Sequence, residues 1–130
     1  MNVARQLDAS RYRTYAFESG AYLGYPRSHD VYGDGAVVVV PAPGHTPGSV
    51  HIFVSLPDGQ RYLFVGDTVW QREGFQLREE RPWWTRWGAD NDAGRVRAQL
   101  LHLWTLTRSF PRLQIVPAHD SRAFAAVPAL

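Results

Sequence analysis

The sequence predicts a single α/β domain, and three features of the chain lead to that prediction. Short apolar runs alternate with turn residues, one segment has the period of an amphipathic helix, and a last apolar run follows that helix. At 130 residues, 45% of them hydrophobic, the chain is long enough for one core and too short for two. We therefore expect residues 1–130 to form one domain.

Four apolar runs predict the strands of the sheet. They lie at residues 37–40, 50–54, 62–65 and 113–116. The first run consists of valines alone, which favours a strand covered on both faces. Segment 33–35 (Gly-Asp-Gly) predicts a tight turn before it, and segment 57–59 (Pro-Asp-Gly) predicts a hairpin turn between the second and third runs. The aromatic-rich residues 14–25 are expected to be extended or looped.

One helix is predicted between a long loop and the last strand. Asp90 or Asp92 can cap its first turn, and its apolar period continues to about residue 109. The inward stripe of this helix consists of Val96, Leu100, Leu103 and Thr107, widened by Leu101 and Trp104. Residues 71–89 before it are polar and Trp-rich with little periodicity, which predicts a loop.

Composition and charge exclude several classes of function. The formal net charge of +2 is not the basic footprint of a nucleic-acid-binding protein. No apolar run approaches the roughly 20 residues of a membrane span. The N-terminal residues show no apolar core of a secretory leader, so we expect a cytoplasmic protein without a membrane partner. Cysteine is absent, so a metal site has to use His, Asp or Glu, which suits zinc, iron or manganese.

Three residues that bind metals well each follow the end of a predicted strand. His45 comes after the valine run, Asp67 after residues 62–65 and His119 after residues 113–116. Strand ends of one sheet tend to meet at one edge, which is where ligands bind in α/β folds. Two imidazoles and a carboxylate suit a divalent transition metal, although their wide spacing in the sequence does not by itself specify one.

The segments around these three positions are more specific than the residues alone. His45 lies in PAPGHTPGSV, Asp67 in YLFVGDTVW and His119 in IVPAHD. In this order, the three segments resemble the metallo-β-lactamase superfamily. HDVYGDGAVVVV upstream is similar to the strand that enters the first motif in lactonase-like members. The resemblance covers roughly residues 30–120 and implies the C-terminal half of an αβ/βα sandwich.

The resemblance also implies roles for these residues. His45 would ligate a first metal ion and His119 a second, and Asp67, as the catalytic residue of this chain, would bridge the two. Zinc is the expected metal, as two ions in the complete site, with manganese or iron as alternatives. A hydroxide held between the ions would attack the carbonyl of a small-molecule substrate. The residues expected to support the ligands are Thr46, Thr68 and Asp120, with Gly44 and Gly66 shaping the turns.

The chain departs from the superfamily pattern at one point. The H-x-H-x-D-H motif that supplies the other ligands occurs nowhere in the sequence, so we expect half of the sandwich and most of the first metal site to be missing. Two functions stay open. One is a hydrolase of lactones, esters or related carbonyl compounds; the other is a non-catalytic remnant that binds metal weakly or not at all. The expected partner is the missing N-terminal half or a second copy of the chain, because the strands favour cover on both faces.

The remaining histidines have simpler interpretations. His51 shares a strand face with Phe53 and is predicted to be a hydrogen-bonded residue of the sheet. His102 is expected to face solvent, because it lies far around the helix from the apolar stripe. His29 is expected to lie in a turn.

The Trp-rich loop contains segment 81–87 (RPWWTRW), which combines cations with aromatic rings as nucleic-acid sites do. Nearby Glu79, Glu80 and Asp90 dilute its positive charge. We therefore predict that it forms the wall of a substrate pocket or packs in the core.

Overall fold

A mixed sheet is the centre of the described structure. The computed structural model describes residues 13–73 and 90–128. The elements in this part of the chain are β1 (His29–Asp30), β2 (Val37–Pro41), β3 (Val50–Ser55), β4 (Arg61–Gly66), α1 (Ala93–Ser109), β5 (Leu113–Pro117) and α2 (Ser121–Ala125). Each strand predicted from an apolar run lies inside one of β2 to β5, so these four predictions are confirmed.

The direction of the strands decides which of their ends meet. The sheet has the order β1-β2-β3-β4-β5; neighbours are antiparallel from β1 to β4, whereas β4 and β5 are parallel. Strands β2, β4 and β5 therefore run in the same direction and end at the same edge of the sheet. Both predicted turns are present. The Asp30 carboxylate accepts the Gly33 and Gly35 N–H groups before β2, and the Gly59 N–H binds the Leu56 carbonyl between β3 and β4.

Both faces of the sheet are packed. The strand register places on one face Val38, Phe53, Leu63 and Ile115. The buried residues of α1 that pack onto this face are Val96, Leu100, Leu103 and Leu106. The opposite face buries Tyr62 and Val116 against Ala123 of α2. Because a fully buried large apolar side chain contributes roughly 1.5–3 kcal/mol, this packing is what holds α1 to the sheet.

Helix α1 differs from the prediction in its inward stripe. Asp92 is the N-cap, not Asp90, and its carboxylate accepts an N–H group of the first turn. The fourth inward residue is Leu106 rather than Thr107, and Leu101 is 47% exposed and so does not widen the stripe. The helical period places Thr107 closer to the centre of this stripe than Leu106, and only the position of the sheet shows that Leu106 is the residue that is buried.

Two histidines lie in other surroundings than predicted. His29 is part of β1 instead of a turn, and its ring stacks on Tyr15 with the centroids 4.6 Å apart. His102 does not face solvent, since its Nε2 lies 3.0 Å from the Leu23 carbonyl oxygen and its ring meets Tyr25 edge to face at 4.5 Å. The segment before β1 covers this side of α1, which the period of the helix alone cannot show.

Helix α2 has no counterpart among the predicted elements, because its five residues are too few to show a period. Residues 74–89, which include segment 81–87, lie outside the described residues, so the interpretation of the Trp-rich loop stays a prediction. The single domain and the association with another half or copy also stay predictions. Among the helices that the structure describes, none is long and apolar enough to cross a bilayer.

The α1 interface gives a test of the fold. Leu103 is completely buried against the sheet, whereas Leu101 is 47% exposed on the same helix. Leu103→Ala should lower the free energy of unfolding by about 2–5 kcal/mol, because it leaves a cavity that the core cannot fill. Leu101→Ala should change it by less than about 0.5 kcal/mol. Urea unfolding followed by circular dichroism measures both, and equal losses for the two variants would show that α1 is not packed in this way.

Candidate metal centre

The three candidate ligands meet at the edge where β2, β4 and β5 end. Asp67 lies between the two histidines and faces each with a different oxygen. His119 Nε2 donates a hydrogen bond to Asp67 Oδ1 at 2.9 Å, and His45 Nε2 lies 3.7 Å from Asp67 Oδ2. The side chains of His45, Asp67 and His119 are 25%, 41% and 62% exposed, so the group is open to a small molecule. The sequence prediction that these strand ends converge is confirmed.

The start of α1 holds His45 in place. The imidazole Nδ1–H donates to Asp90 Oδ1 at 3.0 Å, and the Asp90 side chain is only 4% exposed. The Asn91 and Asp92 N–H groups bind the carbonyl oxygens of His45 and Gly44. With Nδ1 protonated, the lone pair on His45 Nε2 is directed toward Asp67, which is the state in which an imidazole binds a metal.

Gly44 allows the His45 loop to lie close to the first turn of α1. A Cβ atom at position 44 would lie 2.9 Å from Val96 Cγ2 and 3.0 Å from the Val96 nitrogen. A larger residue would therefore push the first turn of α1 away from the loop. The expectation that Gly44 shapes a sharp turn is replaced by this close approach between the loop and the helix.

The backbone around Asp67 ties two of the ligand-bearing segments together. Gly66 ends β4 with a φ of 53°, a conformation that favours glycine, and its carbonyl accepts the Ala118 N–H. The Thr68 N–H donates to the Val65 carbonyl and closes the turn over Asp67. One hydrogen bond thus joins the residue before Asp67 to the residue before His119.

Asp120 supports His119 through the main chain. Its buried carboxylate caps α2 and accepts the Arg72 and Ala123 N–H groups and the Arg122 guanidinium. The hydrogen bond from Arg122 lowers the pKa of Asp120 from its ordinary value of 3.8 to about 2, against the opposing effect of burial. In this arrangement Asp120 fixes the backbone that carries His119, and the contacts of its carboxylate go to residues other than the imidazole.

The two threonines expected to support the ligands make different contacts. Thr46 is exposed and closes its own loop, because its hydroxyl lies 2.8 Å from the Ser49 hydroxyl and its carbonyl accepts the Gly44 N–H. Thr68 is buried, and its hydroxyl lies 2.8 Å from His51 Nε2. Neither contact reaches a ligand atom, so both residues act on the loops that carry the ligands.

His51 is a buried, hydrogen-bonded residue of the sheet, as predicted. It is fully buried, and its Nδ1 lies 2.7 Å from the Tyr25 hydroxyl. Burial, aided by the charge of His102, lowers the pKa of His51 from 6.5 to about 3, so this imidazole is neutral near neutral pH. Burial also raises the pKa of Tyr25, which keeps its phenol protonated.

The donor chemistry of the centre fits a divalent transition metal, but only part of its geometry does. Two donors on one tetrahedral zinc ion stand about 3.4 Å apart, so the 3.7 Å between His45 and Asp67 is compatible with a shared ion. The 2.9 Å between His119 and Asp67 is the length of a hydrogen bond. No group of three or more His, Cys, Asp or Glu side chains in residues 13–73 and 90–128 is arranged to hold a metal ion. His119 would have to release its hydrogen bond to become a third ligand.

The sequence prediction did not include two residues that lie at the centre. In the sequence, Asp90 is only a possible helix cap. Its hydrogen bond with His45 is formed by the fold. Trp70 follows the Asp67 turn, and its ring lies 6.1 Å from that of His119, so it forms an apolar side to the centre. The nearness of Trp70 to Asp67 in YLFVGDTVW could have suggested this role, whereas nothing in the sequence points to Asp90 as the partner of His45.

The sequence model of the metallo-β-lactamase superfamily matches residues 6–119, and the chain belongs to that superfamily. The predicted fold class, a partial sandwich of the metallo-β-lactamase type, is thereby confirmed together with the mixed sheet and its helices. No relative was found among the curated proteins.

The solved structures similar to this chain include N-acyl homoserine lactone hydrolases. One holds its product, N-hexanoyl-L-homoserine, at the catalytic metal centre; it matches with a TM-score of 0.60 at 18% identity over 79% of this chain. A variant of AiiA from B. thuringiensis with N-decanoyl-L-homoserine at its active site, and a quorum-quenching lactonase, match with the same score and identity. The chain spans 37% of the length of the first two and 39% of the third. At this identity, the likeness establishes the fold alone.

The neutral, buried His51 gives a prediction about acid stability. Its pKa is 6.5 when unfolded and about 3 when folded, so the unfolded chain takes up the proton first. The stability linked to this residue is complete above pH 6.5 and is lost as the pH falls toward 3, by about 2 kcal/mol between pH 7 and pH 5. His51→Gln should flatten this slope of unfolding free energy against pH, whatever its effect at pH 7. Parallel slopes in urea titrations of wild type and variant would contradict a neutral buried His51.

The contact between Asp90 and His45 gives a second prediction. In Asp90→Ala the imidazole loses the acceptor of its Nδ1–H, so His45 should change from one tautomer to a mixture. Long-range ¹H–¹⁵N correlation spectra of the metal-free chain report the protonated ring nitrogen directly. Asp58→Ala is the matched control, because that carboxylate serves the distant β3–β4 turn. An unchanged His45 tautomer in Asp90→Ala would show that Asp90 does not orient the ring.

Proposed function

We propose that this chain supplies His45, Asp67 and His119 to the active centre of a metal-dependent hydrolase that acts on a lactone, an ester or a related carbonyl compound. The observation that carries the proposal is the position of Asp67, whose two oxygens face two different histidines. A carboxylate that faces two imidazoles with separate oxygens would be able to contribute one oxygen to each of two ions, which supports the proposed role of Asp67. Membership of the superfamily supports the choice of chemistry, and the lactonases with bound ligands support a lactone as substrate.

The metal would be zinc, with manganese or iron as alternatives, because the donors are two imidazoles and a carboxylate. When bound, such ions lower the pKa of a coordinated water and polarise the carbonyl of the substrate. The residues of this chain do the positioning. Asp90 keeps Nδ1 of His45 protonated and Nε2 free, while Asp67 offsets positive charge between the two histidines.

The surroundings of the centre suit a substrate with an apolar portion. Trp70 is 40% exposed beside His119, so an acyl chain or ring would find an apolar surface next to the ligands. The centre lies at the open edge of the sheet and is reached without any rearrangement of the described residues. The apolar surface beside the ligands is what supports a small molecule with an apolar portion as substrate.

One observation favours a second function, a non-catalytic remnant that binds metal weakly or not at all. The chain carries no H-x-H-x-D-H motif, and in the described residues no cluster of three or more donors is arranged to hold an ion. A complete catalytic zinc site has three protein ligands and an open position. If the protein is a hydrolase instead, the remaining metal ligands would have to come from a further segment or from a partner chain.

The decisive experiment supplies those donors. The chain is co-expressed with an H-x-H-x-D-H segment from a lactonase of the superfamily, and hydrolysis of N-acyl homoserine lactones and of simple esters is measured with zinc or manganese. Asp67→Asn should lower kcat/KM at least about 100-fold, because the variant keeps the shape but removes the charge that balances the ions. His29→Gln is the control, since His29 lies in β1, an outer strand of the described sheet, and its ring stacks on Tyr15, so the substitution should leave the rate unchanged.

The two functions predict different results in this assay. The hydrolase predicts metal-dependent turnover that Asp67→Asn abolishes and His29→Gln spares. The remnant predicts no turnover above the segment alone, with any metal. Turnover that survives Asp67→Asn would show that the bridging role of Asp67 is wrong even though the assembly is a hydrolase.

A further inference from the structure

A buried chain of hydrogen bonds leads from the segment before β1 to the Asp67 turn. The Tyr25 hydroxyl lies 2.7 Å from His51 Nδ1, and His51 Nε2 lies 2.8 Å from the Thr68 hydroxyl. The three residues are 3%, 0% and 3% exposed. A polar group so deeply buried costs free energy unless it keeps its hydrogen-bond partner. The hydroxyls of Tyr25 and Thr68 and the imidazole of His51 are therefore expected to stay bonded to one another.

The partners fix the direction of the hydrogen bonds. A neutral imidazole has one donor nitrogen and one acceptor nitrogen, and a phenol is a better donor than acceptor. The Tyr25 hydroxyl therefore donates to Nδ1, and the Nε2–H of His51 donates to the Thr68 hydroxyl oxygen. Both ring nitrogens of His51 then have a hydrogen-bond partner, and the hydroxyl oxygen of Thr68 accepts one hydrogen bond from the imidazole.

Three separate elements are joined by these contacts. Tyr25 precedes β1 and packs edge to face on His102 of α1, His51 lies in β3, and Thr68 follows β4. The Thr68 N–H closes the turn on Val65. Because the Thr68 side chain is anchored to β3 and its backbone to the end of β4, the residue between Gly66 and Thr68 has little freedom to rotate.

We propose that Tyr25 and His51 are positioning residues for Asp67, acting through the hydroxyl of Thr68. The inference rests on the proposed function of Asp67 as a bridging ligand, but its structural part does not need a metal. The hydrogen bonds from Tyr25 through His51 to Thr68, called the relay below, set the position of the Asp67 carboxylate between His45 and His119. Removing it should leave the sheet folded and let the carboxylate depart from that position.

The test compares two substitutions at Thr68. Thr68→Val keeps the volume and removes the hydroxyl, whereas Thr68→Ser keeps the hydroxyl and is the rescue variant. The readout is the ring nitrogen shifts of His45 and His119 in the metal-free full chain, which report their contacts with Asp67. Thr68→Val should move both sets of shifts, and Thr68→Ser should return them toward wild type. Val38→Ala, a buried substitution in β2 on the same face, controls for general loosening of the sheet and should move neither.

Tyr25→Phe tests the far end of the relay. It keeps the ring that packs on His102 and removes only the hydroxyl, so it should move the His45 and His119 shifts in the same direction as Thr68→Val by a smaller amount. This variant also decides the matter if Thr68→Val does not fold. Unchanged shifts in every variant that folds would overturn the proposal.

A second readout links the relay to metal binding. In the complemented assembly, Thr68→Val should weaken zinc affinity about 10-fold in a competition titration, and Thr68→Ser should stay within about 3-fold of wild type. If the shifts respond but no assembly hydrolyses a substrate, the proposed function fails and the relay stands. If hydrolysis depends on Asp67 but neither the shifts nor the zinc affinity respond to Thr68→Val, the function stands and the relay is wrong.

Discussion

The shared direction of β2, β4 and β5 is the constraint on which the candidate centre depends. Two antiparallel hairpin connections return β4 to the direction of β2, and the crossover through α1 adds β5 parallel to β4. The shared strand direction, and not proximity in the sequence, brings His45, Asp67 and His119 to one edge of the sheet. A hydrogen bond from Ala118 to Gly66 then sets the spacing between two of these strand ends.

Helix α1 contributes to the centre as much as to the core. Its apolar stripe packs on the sheet, and this packing presents the residues before its first turn to the His45 loop. Asp92 caps the helix, while Asp90, two residues earlier, is free of that task and meets the imidazole. The close approach at Gly44 makes the contact possible, so core packing and ligand orientation depend on the same interface.

The chain occupies a defined position within its superfamily. It spans less than two fifths of the length of the lactonases that share its fold, and its three candidate donors follow the ends of three of its own strands. A hydrogen bond joins His119 to Asp67. The proposed hydrolase and the non-catalytic remnant are therefore both compatible with this one arrangement of side chains.

Local sequence determined strands β2 to β5, helix α1 and the identity of the candidate ligands. Apolar runs between turn residues are short-range patterns, and the motifs around His45, Asp67 and His119 are contiguous. Tertiary structure alone decided that Asp90 binds His45, that His102 packs under Tyr25 and that His51 links Tyr25 to Thr68. Each of these contacts joins residues from different elements, and the choice among many possible polar partners is made only when packing fixes which of them are buried together.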